Sequence, residues 1–308
     1  MKKFNTLGIY LIAYLCLVEV AQTQTPSDAL MMKQREFCFA TTYEQGSWSQ
    51  YWEGKQLRTN ATIATLSRYS INPMIAIGLT DKLNLIAMAS YVATQSSEPN
   101  GGKFEGVKGL QDFGLSLKYE LLRKKTEKGE LILLTNLNFS APMSNYLSDY
   151  MPYSIGSGTK NINLRGIVQY DFKSGLYLRS AFAYLRRGQT EAERNYYYAN
   201  GSYYTSWMDV PDAWNYHGIL GALLFDNSLR LEASYMGLKS TTGDDIRSYN
   251  AGQPTNKVNL DQVGFFAQYY FKKVKGLGAV GSYTQIINGR NTGKFRSFNL
   301  GFTYQFKI

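Results

Sequence analysis

Residues 298–308 read Phe-Asn-Leu-Gly-Phe-Thr-Tyr-Gln-Phe-Lys-Ile. Every even position is apolar (Phe298, Leu300, Phe302, Tyr304, Phe306, Ile308), while the odd ones are Asn299, Gly301, Thr303, Gln305 and Lys307. Successive strand residues point to opposite faces, so period two over this length predicts a strand with one apolar and one polar side. The pattern recurs upstream. Phe113, Leu115, Leu117, Tyr119 and Leu121 alternate with Asp112, Gly114, Ser116, Lys118 and Glu120. Ile162, Leu164 and Val168 alternate with Asn163, Arg165 and Gln169, and Leu229, Leu231, Ala233 and Tyr235 with Arg230, Glu232 and Ser234.

All such segments together predict about twelve strands. Their cores are 36–44, 59–79, 83–94, 110–122, 130–140, 160–171, 176–187, 214–225, 229–237, 260–271, 277–287 and 295–308. The second is too long for one crossing, and Asn72-Pro73 predicts an interruption there. The connections alternate in length. Short ones (80–82, 123–129, 172–175, 226–228, 272–276) take turns with long ones (45–58, 95–109, 141–159, 189–213, 238–259, and the briefer 288–294). Short turns at one end and long loops at the other mark a transmembrane, antiparallel, up-and-down β-barrel. A β-sandwich has no need of that asymmetry. An even strand count places both termini on the periplasmic side, with the long loops outside the cell.

The start of the chain fits export. Lys2 and Lys3 precede an apolar run, 7–18, and then Ala21-Gln22-Thr23-Gln24, the order of a secretory signal peptide over residues 1–21. The run is short of the roughly 20 residues a spanning helix needs. Residues 22–35 read as a short periplasmic segment and 36–308 as the barrel. Cys16 follows Leu15 where a lipoprotein signal wants a small residue, and beyond the signal only Cys38 remains, which rules out an internal disulfide. Removing Lys2, Lys3 and Glu19 leaves 31 basic and 22 acidic residues, a net charge of +9. The basic residues are dispersed and the chain is exported, which argues against nucleic acid and for outer-membrane lipids or an anionic solute as partners. There are 25 Tyr and 16 Phe, yet the mean hydropathy is negative. Barrels reconcile the two, because only every second strand residue faces lipid. The apolar terminal strand ending Tyr304, Phe306, Ile308 is also the kind read by the barrel-insertion machinery.

The chain resembles the outer-membrane transporter family labelled "MetA-pathway of phenol degradation". The resemblance rests on Gly78-Leu79-Thr80-Asp81-Lys82-Leu83-Asn84, on the stretch Gly109-Leu110-Gln111-Asp112-Phe113-Gly114-Leu115-Ser116-Leu117-Lys118-Tyr119, and on residues 48–54. It implies a barrel that passes small solutes, aromatic ones among them.

Chemistry-bearing residues are sparse. His217 is the only histidine, and Ile219 rather than Ser stands two residues along its face. No catalytic group is assigned, no spacing suits a metal, and no cofactor motif is present; the glycines of 101–109 lack the Lys-Ser/Thr of a phosphate loop. The candidates for transport are the polar-face residues Lys118, Glu120, Arg165, Gln169, Arg179, Arg230 and Glu232. Inward charges of this kind either line a pore and set ion preference or pair with one another and close it. Twelve strands lie between eight, where side chains fill the interior, and sixteen, where water does. In the loop 195–207, Tyr197, Tyr203, Tyr204 and Trp207 are candidates for contact with ring-bearing ligands. Trp48, Tyr51, Trp52 and Trp214 are expected in the outer aromatic girdle. The reading is an outer-membrane channel for a small solute; the alternatives are a structural or adhesive barrel with a closed lumen and, more distantly, an outer-membrane lipid hydrolase.

Overall fold

The computed structural model describes residues 25–192, 197–199, 203–247 and 252–308; the signal segment 1–21 lies outside them. Twelve long strands form the wall: β1 (Glu36–Trp48), β2 (Leu66–Thr80), β3 (Leu83–Ser96), β4 (Lys108–Lys125), β5 (Gly129–Pro142), β6 (Asn161–Phe172), β7 (Leu176–Arg187), β8 (Ala213–Leu224), β9 (Leu229–Ser240), β10 (Asn259–Tyr270), β11 (Leu277–Arg290) and β12 (Arg296–Lys307). Each pairs antiparallel with its neighbours in sequence, and β1 closes on β12 from Glu36↔Lys307 to Ser47↔Arg296. The wall is a closed, twelve-stranded barrel. No helix among the described residues is long and apolar enough to cross a membrane, and strands do the crossing.

Side-chain alternation supplies the reason. Along β12, Leu300 is 69% exposed while Thr303 is 2% exposed; along β4, Leu115, Leu117, Tyr119 and Leu121 stand outside while Ser116, Lys118 and Glu120 are buried. On these strands the exterior thus carries aliphatic and aromatic side chains and the interior carries polar ones, while other inward stretches of the wall are apolar where chain packs on them. In water such an exterior would be an aggregation surface; in a bilayer it is the solvated face.

Several boundaries differ from the sequence expectation. β2 begins at Leu66, because Gln56–Thr59 pairs with Gln50–Glu53 in a separate hairpin above the wall. Asn72-Pro73 does not interrupt β2. Both residues pair with β1 (Thr42↔Asn72, Thr41↔Pro73), whereas pairing with β3 passes from Ile71↔Tyr91 to Met74↔Met88. The donor that proline lacks falls in this gap, and Ser90 Oγ bridges it to Asn72 Oδ1 at 2.7 Å. At the long-loop end several strands run past their apolar alternation, β1 to Trp48 and β11 to Arg290, where the wall meets folded loops instead of lipid. Turns at the other end are tight. Phe225, Asp226 and Asn227 are all left-handed. Gly276 has φ of +83°, and a Cβ there would fall 2.0 Å from the Gln305 carbonyl oxygen, so no side chain fits.

Single cysteines at Phe298, Leu300 and Phe302, in a Cys38→Ala background, should react with a lipid-soluble maleimide, and cysteines at Asn299 and Thr303 should not. Equal labelling of both sets would contradict the register of β12.

Candidate functional site

The segment expected to lie in the periplasm is folded into the barrel. Arg35 has φ of +65° and turns the chain back at the short-turn end. There its N–H donates to the Gly78 carbonyl and its carbonyl accepts from Ile308 N–H, each at 3.0 Å. The passage is tight: a Cβ on Gly78 would sit 2.0 Å from the Lys33 carbonyl oxygen. Met32 then exchanges two hydrogen bonds with the Asn84 side chain, 3.1 and 2.9 Å, and packs on Cys38, Ala76 and Ile86 of one wall. Ala29 packs on Ile132, Leu134, Ile167 and Ala181 of another. The segment 25–34 therefore lies across the lumen. Nothing in its sequence alternates, so periodicity carries no signal of this placement.

Lys118 anchors it. Its Nζ donates to Asp28 Oδ1 at 2.6 Å, to the Thr25 carbonyl at 2.8 Å and to the Leu30 carbonyl at 3.0 Å. An ammonium has three protons, and all three are used. Lys118 and Asp28 are both fully buried. Asp28 also accepts from the N–H groups of Thr25 and Leu30, and Asn136 Nδ2 donates to the Pro26 carbonyl.

Beside this anchor, Glu232 Oε1 accepts from Arg179 Nη2 at 2.9 Å, from Arg230 Nη2 at 2.5 Å and from Tyr177 OH at 2.5 Å. Arg179 Nη1 reaches Gln169 Oε1 at 3.2 Å, and Arg230 lies over the Phe266 ring at 5.3 Å. Two guanidiniums share one carboxylate, so this layer carries one excess positive charge. The seven inward candidates thus divide. Gln169, Arg179, Arg230 and Glu232 form one cluster. Lys118 belongs with the N-terminal segment. Glu120 faces the short-turn rim and pairs with Arg123 at 2.8 Å. Arg165 faces inward, half-buried, with no ion pair among the described residues.

Two cavities flank the partition that the segment and the Arg179–Glu232–Arg230 cluster make. One, of about 470 Å³, opens toward the short-turn end between Ala29–Met31, Glu120, Asp171 and the two arginines. The other, of about 530 Å³, lies on the long-loop side between Thr25–Ser27, Met74, Met236, Gln268 and the same arginines. His217 lines the second cavity. Among the described residues no group of three metal-ligating side chains exists.

The long-loop end is roofed. Residues 143–160 fold inward, with Tyr153 and Ile155 buried against Ile63, Leu66, Thr94 and Arg68. After β9, residues 241–247 are tied down by Asp245, which accepts from Arg290 at 2.7 and 2.6 Å and from Asn291 at 2.8 Å. Of the loop candidates, Trp207 is exposed. Tyr197, Tyr203 and Tyr204 lie in a short hairpin, 197–199 with 203–205, and their side chains are outside the described residues. Trp214 has the outward placement a girdle requires, exposed, stacked on Phe182 at 5.0 Å and tilted against Tyr184 at 4.6 Å. The girdle expectation fails for Trp48 and Trp52. Trp52 is buried over Gly289, because the hairpin 50–59 rises above the wall and carries it into the loops, and Trp48, at the end of β1, packs at Gly293 beneath that hairpin.

Two consequences are testable. Breaking a buried ion pair from one side costs roughly 3–5 kcal/mol, so Asp28→Asn should release the segment. A cysteine replacing Ala29 should then react with a water-soluble maleimide at least about tenfold faster, and adding Lys118→Met should restore protection; unchanged protection in Asp28→Asn would show that the pair does not hold the segment. Asp245 is held well below the usual carboxylate range, chiefly by the hydrogen bonds from Arg290 and then Asn291. A depressed carboxyl stabilises the fold above its unfolded value of 3.8 and loses that contribution only in stronger acid. Amide protection at Gly54 and Ile246, which both donate to Asn291 Oδ1, should therefore stay constant in its opening equilibrium from pH 5 to 8, and Asp245→Asn should lower it throughout that range.

The fold has counterparts among solved structures. The COG4313 outer membrane channel from Pseudomonas putida F1 superposes with a TM-score of 0.71 at 12% identity, over 92% of this chain and 100% of that one. A NanC porin gives 0.47 at 10% identity, covering 85% and 98%, and the translocator domain of the autotransporter NalP from Neisseria meningitidis 0.45 at 12%, covering 97% and 95%. No protein-family model matches the sequence, and no curated protein matches it either. At this identity the first superposition speaks to architecture: the chain is a closed, twelve-stranded barrel with the fold of that outer-membrane channel.

Proposed function

We propose that this barrel is a channel through which a small solute crosses the bacterial outer membrane passively, shut in the form described by its own N-terminal segment. The observation that carries the reading is the pair of cavities on either side of one thin partition. A structural barrel has no use for two chambers in series that share an arginine layer, and a lumen of this width packed solid would show neither. The COG4313 channel, whose full length superposes on this chain, supports it. The lumen favours anions modestly: Lys118, Arg165, Arg179 and Arg230 with Arg123 at the short-turn rim stand against Asp28, Glu120, Asp171 and Glu232, five cations to four carboxylates, an excess of one positive charge. Fixed charges act strongly on ions that have shed part of their water. Outer-membrane lipids surround the apolar wall, and the insertion machinery is the partner suited to its terminal strand. The family resemblance read from residues 78–84 and 109–119 would extend the solutes to aromatic ones. The reading involves no covalent chemistry, and His217 has no hydroxyl nucleophile assigned to it.

The roofed long-loop end favours the second reading, a structural barrel with a closed lumen. Purified barrel in a planar bilayer separates the two. Wild type and Asp28→Asn should both conduct, the variant more often, with a reversal potential in a KCl gradient displaced toward chloride. Arg165→Gln removes a charge without orphaning a carboxylate and should move that potential toward potassium. Folded barrel, wild type and variant alike, that passes no current would defeat the channel and promote the structural reading.

A further inference from the structure

The cavity on the long-loop side has a chemical character that transport of ions alone does not require. Gln268, on β10, is 1% exposed, and neither its amide nitrogen nor its amide oxygen has a hydrogen-bond partner. Thr303, on β12, is 2% exposed with its hydroxyl unpartnered, and the Nε of Arg179 is likewise unpaired. All three residues line this one cavity. A buried donor or acceptor left unmade costs roughly 1–3 kcal/mol, and native structures keep few of them. Three such residues around one space point to an occupant that satisfies them.

The rest of the lining says what kind. Met74, Met88, Met236 and Phe266 cover the sides, an apolar surface whose unbranched thioethers adapt to differently shaped partners. Arg179 and Arg230 stand at the floor, sharing Glu232, with the excess of a single positive charge. The volume, about 530 Å³, falls within the roughly 300–1,000 Å³ of small-molecule sites.

We infer that this cavity is a binding site for a small amphipathic monoanion, a carboxylate with an apolar body, whose charged end lies among Arg179, Arg230 and Gln268 and whose body lies along the methionines. The inference rests on the channel reading for its physiological meaning, since it makes the cavity the stage at which a permeating solute is held. Its geometry does not depend on that reading. A dianion would exceed the charge available, and an uncharged alkyl chain would leave the guanidinium layer and Gln268 unanswered.

The test uses the full mature barrel in lipid nanodiscs with octanoate as the probe, read by calorimetry against empty nanodiscs, and with bilayer conductance measured on the same preparation. Octanoate should bind saturably at one site per barrel, and 1-octanol at least about tenfold more weakly, as loss of one charged hydrogen-bonded contact predicts. Gln268→Leu, similar in volume, should weaken octanoate about tenfold or more. Ser234→Phe, which fills the cavity from β9, should abolish binding. Heat-modifiable gel migration establishes that each variant is folded. Octanoate binding that is absent, that both folded variants leave unchanged, or that 1-octanol equals would overturn the site, and conductance persisting in that case leaves the channel standing. Saturable, variant-sensitive binding in a barrel that never conducts upholds the site and removes the channel instead.

Discussion

The hydrogen-bonded seam between β1 and β12 is the contact on which everything else depends. In hydrocarbon an unpaired backbone amide or carbonyl costs several kcal/mol, so a sheet in a bilayer has no tolerable edge and must close. Closure through twelve strands sets a circumference, and that circumference leaves an interior wider than the wall's own side chains fill. The inward face must then be polar where water reaches it and must be packed where it does not. The buried anchor at Lys118, the shared carboxylate at Glu232 and the segment lying across the lumen all answer that second demand.

The wall was legible because its physics is local. Period-two alternation in residues 112–121 and 298–308 assigns faces without knowledge of any partner, and the turn lengths order the strands. Facing was legible for the same reason: Lys118, Arg165, Arg179 and Arg230 share parity with the polar residues of their strands and turn inward. What each one meets was not legible. Asp28 lies 90 residues from Lys118, in a stretch with no periodicity, and the hairpin 50–59 carries Trp52 above the wall although its composition suits a girdle. Pro73 is instructive in the same way. Its effect depends on which neighbour its missing donor would have faced, and that is a property of the assembled sheet.

The interior combines two solutions to burying charge. Lys118 and Asp28 neutralise one another completely and have their remaining hydrogen bonds met by backbone, which makes the pair a fastening. Arg179, Arg230 and Glu232 leave one charge over and unpartnered polar atoms nearby, which suits a surface meant to meet something else. A site that holds the chain's own segment thus adjoins one with capacity to spare. Replacing the first by well-packed apolar residues would cost the barrel little stability.

The complete use of the Lys118 ammonium has a further consequence. With all three protons given to the N-terminal segment, any withdrawal of that segment leaves a buried cation that only water can serve in its place. In the channel proposed above, opening is then a hydration event: the lumen must take up water molecules as the chain leaves. Its equilibrium accordingly depends on the activity of water on both sides of the membrane. Polymers too large to enter the barrel draw water out and favour the dry form, so the osmotic state of the surroundings bears directly on how often this lumen is wet.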